Sequence, residues 1–397
     1  MADKRPIRAI ISGGGTGGHI FPALSIADKL MEADPDSEIL FVGAEGRMEM
    51  EKVPAAGYRI IGLPVAGLQR RLALSNLALP FKVLKSISMA GKIIDSFRPD
   101  IAIGVGGYAS APLLWAASRK GIPTLIQEQN GFAGLTNKIL GKRADRICVA
   151  YEGMERFFPA DRIVLTGNPI RNAIVPADPA MKREALDFYG LDPGKRHIFI
   201  VGGSLGSGTL NKSMMKWISD GCPGGEDVEV LWQCGKYYKA GTDSFMNSVR
   251  DKMPGACTRI HHFDFIKRMD LAYAAADIVV SRSGASSVSE LCAARKAVIF
   301  VPSPNVAEDH QTHNAMALVK KDAAMLVTDA EAPEKLMRTA CRLVHDDAVI
   351  MKMEKNIAAL ARKDAAGAIV EEIYGILDKK ASTRDDGKDK TDKKTKQ

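Results

Sequence analysis

The sequence predicts an α/β fold of two Rossmann-like parallel-sheet halves, and three observations carry that prediction. Short aliphatic runs, each the length of a buried strand, alternate with longer helical stretches, which is the rhythm of a helix-flanked parallel sheet. A strand running into a glycine-rich turn and a helix stands near the N-terminus, at Ile10-Ile-Ser-Gly-Gly-Gly-Thr-Gly-Gly-His19. The same opening recurs mid-chain, at His197-Ile-Phe-Ile-Val-Gly-Gly-Ser204-Leu-Gly-Ser-Gly. A length of 397 residues also exceeds what one hydrophobic core usually supports, so two domains are expected.

In the first half the strand candidates are Ile7–Ser12, Ile39–Val42, Arg59–Gly62, Ile101–Val105, Thr124–Ile126, Arg146–Val149 and Ile163–Leu165. In the second they are the run from His197, then Val228–Trp232, Arg259–His262, Asp277–Val280 and Ala297–Val301. The proline-bearing stretch from Asn168 to Pro179 is the natural boundary, giving domains over 1–172 and 173–364. After Val327 the pattern is helical, and the amphipathic segment 365–378 is expected to pack back on the first domain. Residues 379–397 hold no aliphatic or aromatic side chain beyond one alanine while lysine and aspartate alternate, which predicts a disordered charged tail.

A net charge of +8 favours anionic partners without choosing among them. No zinc-finger spacing, aromatic ladder or RNP-like string accompanies it, so no nucleic-acid partner is expected. Six scattered cysteines without a C-x-x-C pair suit a reduced intracellular protein and imply neither disulfide nor zinc. The N-terminus enters a strand too soon for a signal peptide, which predicts a cytoplasmic protein. The uncharged window Ile101 to Ser118 contains Gly104, Gly106, Gly107, Ser110 and Pro112, so it fits a strand, turn and helix better than a membrane span. Asp34-Pro-Asp36, the one clear D-x-D, precedes a strand and lies at the wrong end of a sheet to hold a catalytic metal.

The first glycine turn is poor in Cβ atoms, so backbone amides can approach a ligand, and the following helix adds its positive end. An anionic group is the natural guest. Gly13, Gly15 and Gly18 formally satisfy G-x-G-x-x-G, which leaves open a dinucleotide site or a plain connecting turn. Ser281-Arg-Ser-Gly284-Ala-Ser-Ser-Val-Ser-Glu290 offers hydroxyls and helix-start amides to phosphate oxygens, and a carboxylate to ribose hydroxyls. It could equally be a helix cap with an ordinary acid behind it. The stretch Val301 to Ala315, with Asp309, His310, Gln311 and Asn314, carries the amide and acid groups that read sugar hydroxyls, or simply caps a helix near Gln311. Gly104-Val-Gly-Gly-Tyr108 and Gln127-Glu128-Gln-Asn130 through Asn137 follow strands and should share a rim with His19.

Taken in order, GGTGGH at 14–19, GVGGY at 104–108, EQNG at 128–131, GNPIR at 167–171, GGS at 202–204, RSGA with SE at 282–290 and DHQ with NA at 309–315 resemble the MurG family of peripheral-membrane glycosyltransferases. The resemblance runs from residue 8 to about 375. It implies the GT-B architecture, two Rossmann-like domains facing a cleft, and inverting transfer of N-acetylglucosamine from UDP-N-acetylglucosamine to the 4-hydroxyl of lipid I in peptidoglycan synthesis. By motif match Arg171, Ser204, Ile266, Ala285, Ser286, Ser287, Val288, Ser289, Glu290 and Gln311 would line the donor site, joined by Thr16, Gly17, Gly18 and Asn130. Ile266 would hold uracil through its backbone, Glu290 the ribose and Gln311 the sugar hydroxyls, with Tyr108 and Asn137 on the acceptor side. No cofactor is implied. The implied partners are UDP-N-acetylglucosamine, lipid I, an anionic membrane surface and other cell-wall synthesis and division proteins, at the cytoplasmic face of the plasma membrane. One departure stands out: the family favours histidine before Glu-Gln-Asn, and this chain has Gln127.

Such a transfer needs a base, for which His19 and Glu128 are the candidates, since an imidazole ordinarily titrates near pH 6.5. Leaving-group charge could rest on glycine-loop amides, the helix end and Arg171, without a metal. For the membrane, the segment from Leu72 to Ile94 alternates Leu79, Phe81 and Leu84 with Lys82 and Lys85, as an interfacial helix would. A core helix with a basic outer face has the same pattern. Rival functions are another GT-B enzyme, such as a diglyceride glycosyltransferase or a UDP-sugar epimerase, and a nonenzymatic nucleotide-binding protein. A dinucleotide oxidoreductase ranks lower, because Glu45 is its only candidate ribose acid.

Overall fold

The aliphatic runs form two parallel sheets in a computed structural model that divides into two units, Met1–Ile170 with Asp364–Gln397, and Arg171–Lys363. It describes residues 6–65, 79–171, 173–203, 205–250, 252–253, 255, 258–306, 309–362 and 364–394. The first unit runs β1 (Arg8–Gly13), α1 (Gly17–Ala33), β2 (Glu38–Ala44), α2 (Glu49–Ala55), β3 (Arg59–Leu63), α3 (Leu79–Phe97), β4 (Ile101–Gly106), α4 (Ser110–Arg119), β5 (Thr124–Glu128), α5 (Leu135–Gly141), β6 (Arg146–Val149) and β7 (Ile163–Leu165). Its strands lie in the order β3-β2-β1-β4-β5-β6-β7, all parallel.

That order reverses direction between β1 and β4, and the helices divide accordingly. Ile20, Ala23, Ile26 and Leu30 of α1 join one core cluster, while Ala90 and Ile94 of α3, Leu113 and Leu114 of α4 and Leu140 of α5 join the other. Each fully buried aliphatic side chain contributes about 1.5–3 kcal/mol. A crevice forms outside the C-terminal ends of strands where the order reverses, and the loops after β1 and β4 are the glycine turn and Gly106-Gly107.

The second unit runs α6 (Pro179–Tyr189), β8 (Arg196–Val201), α7 (Gly208–Ser219), β9 (Val228–Gln233), α8 (Lys239–Arg250), β10 (Ile260–Phe263), α9 (Met269–Ala275), β11 (Ile278–Ser281), α10 (Ala285–Ala294), β12 (Ala297–Phe300), α11 (His310–Val319), β13 (Met325–Leu326), α12 (Ala332–Val344) and α13 (Asp347–Ala358). The parallel order β10-β9-β8-β11-β12-β13 reverses between β8 and β11. The loops there are Gly202–Ser207 and Arg282–Gly284. Two residues suffice for β13, too few for the alternation to reveal it.

A last helix, α14 (Ala365–Lys394), returns to the first unit. Ile369, Val370, Ile373, Tyr374 and Leu377 enter the α1 core cluster, and Glu372 Oε2 accepts from Arg146 Nε at 2.9 Å. The backbone is helical to Lys394.

The five described cysteines, 148, 222, 234, 292 and 341, are buried and form no disulfide with one another. Burial pushes the thiols of Cys148 and Cys292 up to about 12, so they are inert fillers. No helix of the described residues is long and apolar enough to cross a membrane. Residues 66–78 and the side chains of Leu79, Phe81 and Lys82 lie outside the described ones. In α3 the buried face is Ser86, Ala90 and Ile94, whereas Leu84 is 65% exposed and Lys85 exposed. Val83 to Lys85 thus face solvent, whereas the end of α3 packs on the core. Asp34 to Asp36 form a turn in which Asp34 Oδ1 accepts from the Asp36 amide at 2.9 Å, as their place before β2 predicts.

Candidate functional site

In the first unit the glycine turn is held by side chains on both sides. His19 Nδ1 donates to Gly14 O at 2.9 Å. A carbonyl oxygen can only accept, so in the neutral ring the hydrogen sits on Nδ1 and the lone pair on Nε2, the tautomer a general base requires. Space for the ring is made by Gly106, at φ +108°, where an added Cβ would lie 2.7 Å from His19 Cδ2. Glu49 at the start of α2 holds the turn from beneath, accepting from Gly15 N at 2.9 Å and Ala44 N at 3.0 Å.

Two of the turn's amides are taken up within the fold. Gly14 N donates to Gly106 O at 3.3 Å and Gly15 N to Glu49. Amides of a helix's first turn have no partner within the helix, and in α1 these are the ones around Thr16, Gly17 and Gly18. Thr16 is the extended N-cap, and its side chain makes no cap hydrogen bond. Tyr108 is exposed on the next loop.

Glu128 does not sit as an accessible base. It is 2% exposed, its Oε1 accepts from Asn130 N and Nδ2 at 3.1 and 3.4 Å, and its Oε2 accepts from Gly134 N and Asn137 Nδ2 at 3.1 and 2.9 Å. The carboxylate braces the loop after β5. Asn137, expected on the acceptor side, is likewise buried and gives its Nδ2 to that brace, while its Oδ1 has no hydrogen-bond partner among the described residues. Gln127 is buried and donates to Asn168 Oδ1 at 2.9 Å.

In the second unit Arg171 and Glu290 come together. Arg171 Nε and Nη2 donate to Glu290 Oε1 and Oε2 at 2.9 and 3.0 Å, and the Tyr273 hydroxyl donates to Oε2 at 3.2 Å. Burial, with the Glu290 charge adding to it, holds the Tyr273 hydroxyl well above its ordinary range, so it remains a donor. Glu290 is thus no ordinary first-turn acid. Along α10, Ala285 and Val288 are buried, Ser287 and Ser289 half-buried, and the enclosed Ser286 Oγ has no hydrogen-bond partner among the described residues. The helix has no acid in its first turn, and its N-cap Gly284 offers no side chain, so the positive end is not compensated from within the helix.

Gln311 Oε1 accepts from Ser303 N at 2.9 Å, which leaves its Nε2 hydrogens as the groups to read a ligand. Asp309, a left-handed N-cap at φ +49°, makes no backbone cap bond and accepts from Thr312 Oγ1 at 2.7 Å. The Ile266 amide donates to Gln233 Oε1 at 2.8 Å, and Gln233 Nε2 donates to Gly203 O at 2.9 Å. A uracil contact through the Ile266 backbone therefore falls to its carbonyl unless Gln233 lets go. Arg282 Nη1 is fully engaged, donating to Val301 O, Pro302 O and Asp329 Oδ1 at 2.8, 3.0 and 2.5 Å. Ser204 lies outside the described residues. No cluster of three or more metal-ligating side chains occurs among the described residues.

Sequence reasoning missed Glu49, Gln233 and Tyr273. For Gln233 a signal exists: a polar residue closes the apolar strand Val-Glu-Val-Leu-Trp-Gln. Glu49 and Tyr273 sit in ordinary helical pattern and carry none.

Family models described as the glycosyltransferase family 28 N-terminal domain and C-terminal domain match residues 9–149 and 197–369. A protein of Parabacteroides distasonis named UDP-N-acetylglucosamine–N-acetylmuramyl-(pentapeptide) pyrophosphoryl-undecaprenol N-acetylglucosamine transferase is 54% identical over 380 residues, which cover 95% of this chain and 100% of the relative. A Cytophaga hutchinsonii protein of the same name is 52% identical over 377 residues, covering 95% and 99%. The crystal structure of Acinetobacter baumannii MurG matches with a TM-score of 0.72 at 27% identity, covering 94% of this chain and 100% of that one.

Proposed function

This chain belongs to glycosyltransferase family 28, and from that we infer that it transfers N-acetylglucosamine from UDP-N-acetylglucosamine to N-acetylmuramyl-(pentapeptide) pyrophosphoryl-undecaprenol, converting lipid I to lipid II. Near full-length likeness to transferases of that name carries the assignment of both substrates.

Within this function His19 is the general base. Its Nε2 takes the proton of the acceptor 4-hydroxyl as that oxygen attacks the anomeric carbon with inversion, help typically worth about 10²- to 10⁴-fold. The electron pair of the broken sugar–oxygen bond leaves with UDP. Arg171 and the first-turn amides of α10 meet that charge, so no metal is needed. Glu290 then accepts from the ribose hydroxyls, the Ile266 carbonyl from uracil, and Gln311 Nε2 donates to a sugar hydroxyl.

The acceptor also calls for membrane contact at the cytoplasmic face. Support comes from the exposed Leu84 beside Lys85 on α3, and from exposed Leu135 and Ile139 on α5, which packs on the same core cluster as α3. A peripheral helix of this kind inserts its apolar side chains while lysines meet anionic headgroups.

The test is UDP release from UDP-N-acetylglucosamine with and without a lipid I analogue, repeated with the donor epimeric at the 4-hydroxyl. Release that requires the acceptor supports the transferase; donor turnover without acceptor, or an epimerised sugar, overturns it.

A further inference from the structure

The carbonyl that receives the His19 hydrogen and the amide that reaches Glu49 belong to one peptide unit. Gly14 O accepts from His19 Nδ1, and Gly15 N donates to Glu49 Oε2, each at 2.9 Å. Glu49 is 1% exposed and also accepts from Ala44 N, so the carboxylate is withdrawn from water and fixed by two amides. The chain makes room for it: a Cβ at Gly14 would overlap the Glu49 carboxyl group, and one at Gly43 would lie 2.6 Å from its Cγ. A buried acid that only capped α2 would not need to sit beneath the one peptide that holds the histidine.

We propose that Glu49 is a positioning residue for His19, acting through the Gly14–Gly15 peptide. A hydrogen bond from an amide to a carboxylate is charge-assisted, and it polarises the amide so that its carbonyl becomes the stronger acceptor. The Gly14 carbonyl then grips the Nδ1 hydrogen, which fixes the ring's orientation and its tautomer. As the acceptor hydroxyl gives its proton to Nε2 the ring becomes cationic and Nδ1 keeps its hydrogen. The negative charge lies behind the peptide, on the side away from the reacting oxygen, and stabilises that imidazolium without competing for the proton. This inference rests on His19 being the base.

Glu49→Gln in the full chain is the test, because the glutamine must turn an NH2 toward one of the two amides that the carboxylate accepts from. Long-range 15N NMR of the His19 ring reports the tautomer without any turnover, and steady-state kinetics separate kcat from KM. A positioning role predicts a loss of the Nδ1–H signature and a fall in kcat of roughly 10- to 100-fold, the usual cost of losing such an outer partner, with KM for UDP-N-acetylglucosamine within about twofold. An unchanged tautomer or an unchanged kcat overturns it. If Glu49→Gln does not fold, Glu49→Asp keeps the charge but withdraws it by one methylene, and must move both readouts the same way. His19→Ala separates the two levels: normal turnover in that variant removes His19 as base, whereas loss of turnover there with wild-type behaviour in the Glu49 variants removes only the relay.

Discussion

The pairing of Arg171 with Glu290 can be measured by a double-mutant cycle. Arg171→Met removes the guanidinium while keeping most of the side chain's length, and leaves Glu290, whose side chain is 9% exposed, with the Tyr273 hydroxyl as its one described side-chain partner. Two charge-assisted hydrogen bonds at 2.9 and 3.0 Å are lost. Fully dry, each would be worth about 1.5–3 kcal/mol. The Arg171 side chain is 43% exposed, so water partly replaces it and screening pulls the pair toward the surface range. A net coupling of about 1–2 kcal/mol follows, within what contacting pairs show. In a domain of this size that lowers the midpoint of the second unit's thermal transition by about 2–8 °C. Glu290→Gln in the Arg171→Met background removes the unpaired charge and should recover most of the loss. Turnover should not recover, since donor roles are proposed for both side chains. Calorimetric melts of the four proteins, with UDP binding titrated in parallel, supply the numbers. Strictly additive midpoints would show that the two groups do not support one another, and a double variant with restored turnover would refute their donor roles.

Three further outcomes are expected. Turnover should survive strong chelation if, as proposed, Arg171 and helix-start amides carry the leaving-group charge; complete loss that only a divalent ion restores would contradict this. Leu84→Asp should cut binding to anionic vesicles by about tenfold or more, since it places a charge where about 1.5–3 kcal/mol of apolar transfer was available, and should leave turnover of a water-soluble acceptor analogue unchanged; vesicle binding equal to wild type would move the contact elsewhere. Asp277 is the acid-stability probe. Burial alone would raise its carboxyl, but hydrogen bonds with His197 and Lys182 outweigh that and hold it well below the ordinary range. A depressed folded-state value contributes stability that is present above the unfolded carboxylate's pKa of about 4 and is lost as pH falls below it. The gap between the denaturant midpoints of wild type and Asp277→Asn should therefore narrow progressively as pH falls below about 4; a constant gap would exclude the linkage.

The fold was legible because its signals are periodic and local. Strand after strand is an uninterrupted aliphatic run, as sheets covered on both faces require, and each functional loop follows such a run directly. What could not be read was partnership. Glu128 looks like a base beside Gln129 and Asn130, but four donors close over it once the loop after β5 folds back. Arg171 and Glu290 are 119 positions apart, and nothing in either motif says that they meet. Glu49 was invisible because its role depends on lying beneath residues from a different strand.

The departure at Gln127 bears directly on which group handles the proton. Gln127 Nε2 donates to Asn168 Oδ1 at 2.9 Å, Asn168 Nδ2 to Gln129 O at 3.0 Å, and Gln129 Nε2 to Val105 O at 2.6 Å. These amides tie the ends of β4 and β5 to the segment that leaves the first unit at Ile170. A buried network of this kind is stable only when each member is satisfied, and removing one partner strands another at about 1–3 kcal/mol. Gln127 is thereby committed to structure, and an amide could not remove a proton in any case. Among residues 1–170 the sequence contains a single histidine, His19. With Glu128 closed off by its own loop, the imidazole that Gly14 holds and Gly106 makes room for is the one described group of this unit's rim with both a lone pair suited to the task and a fixed direction in which to present it.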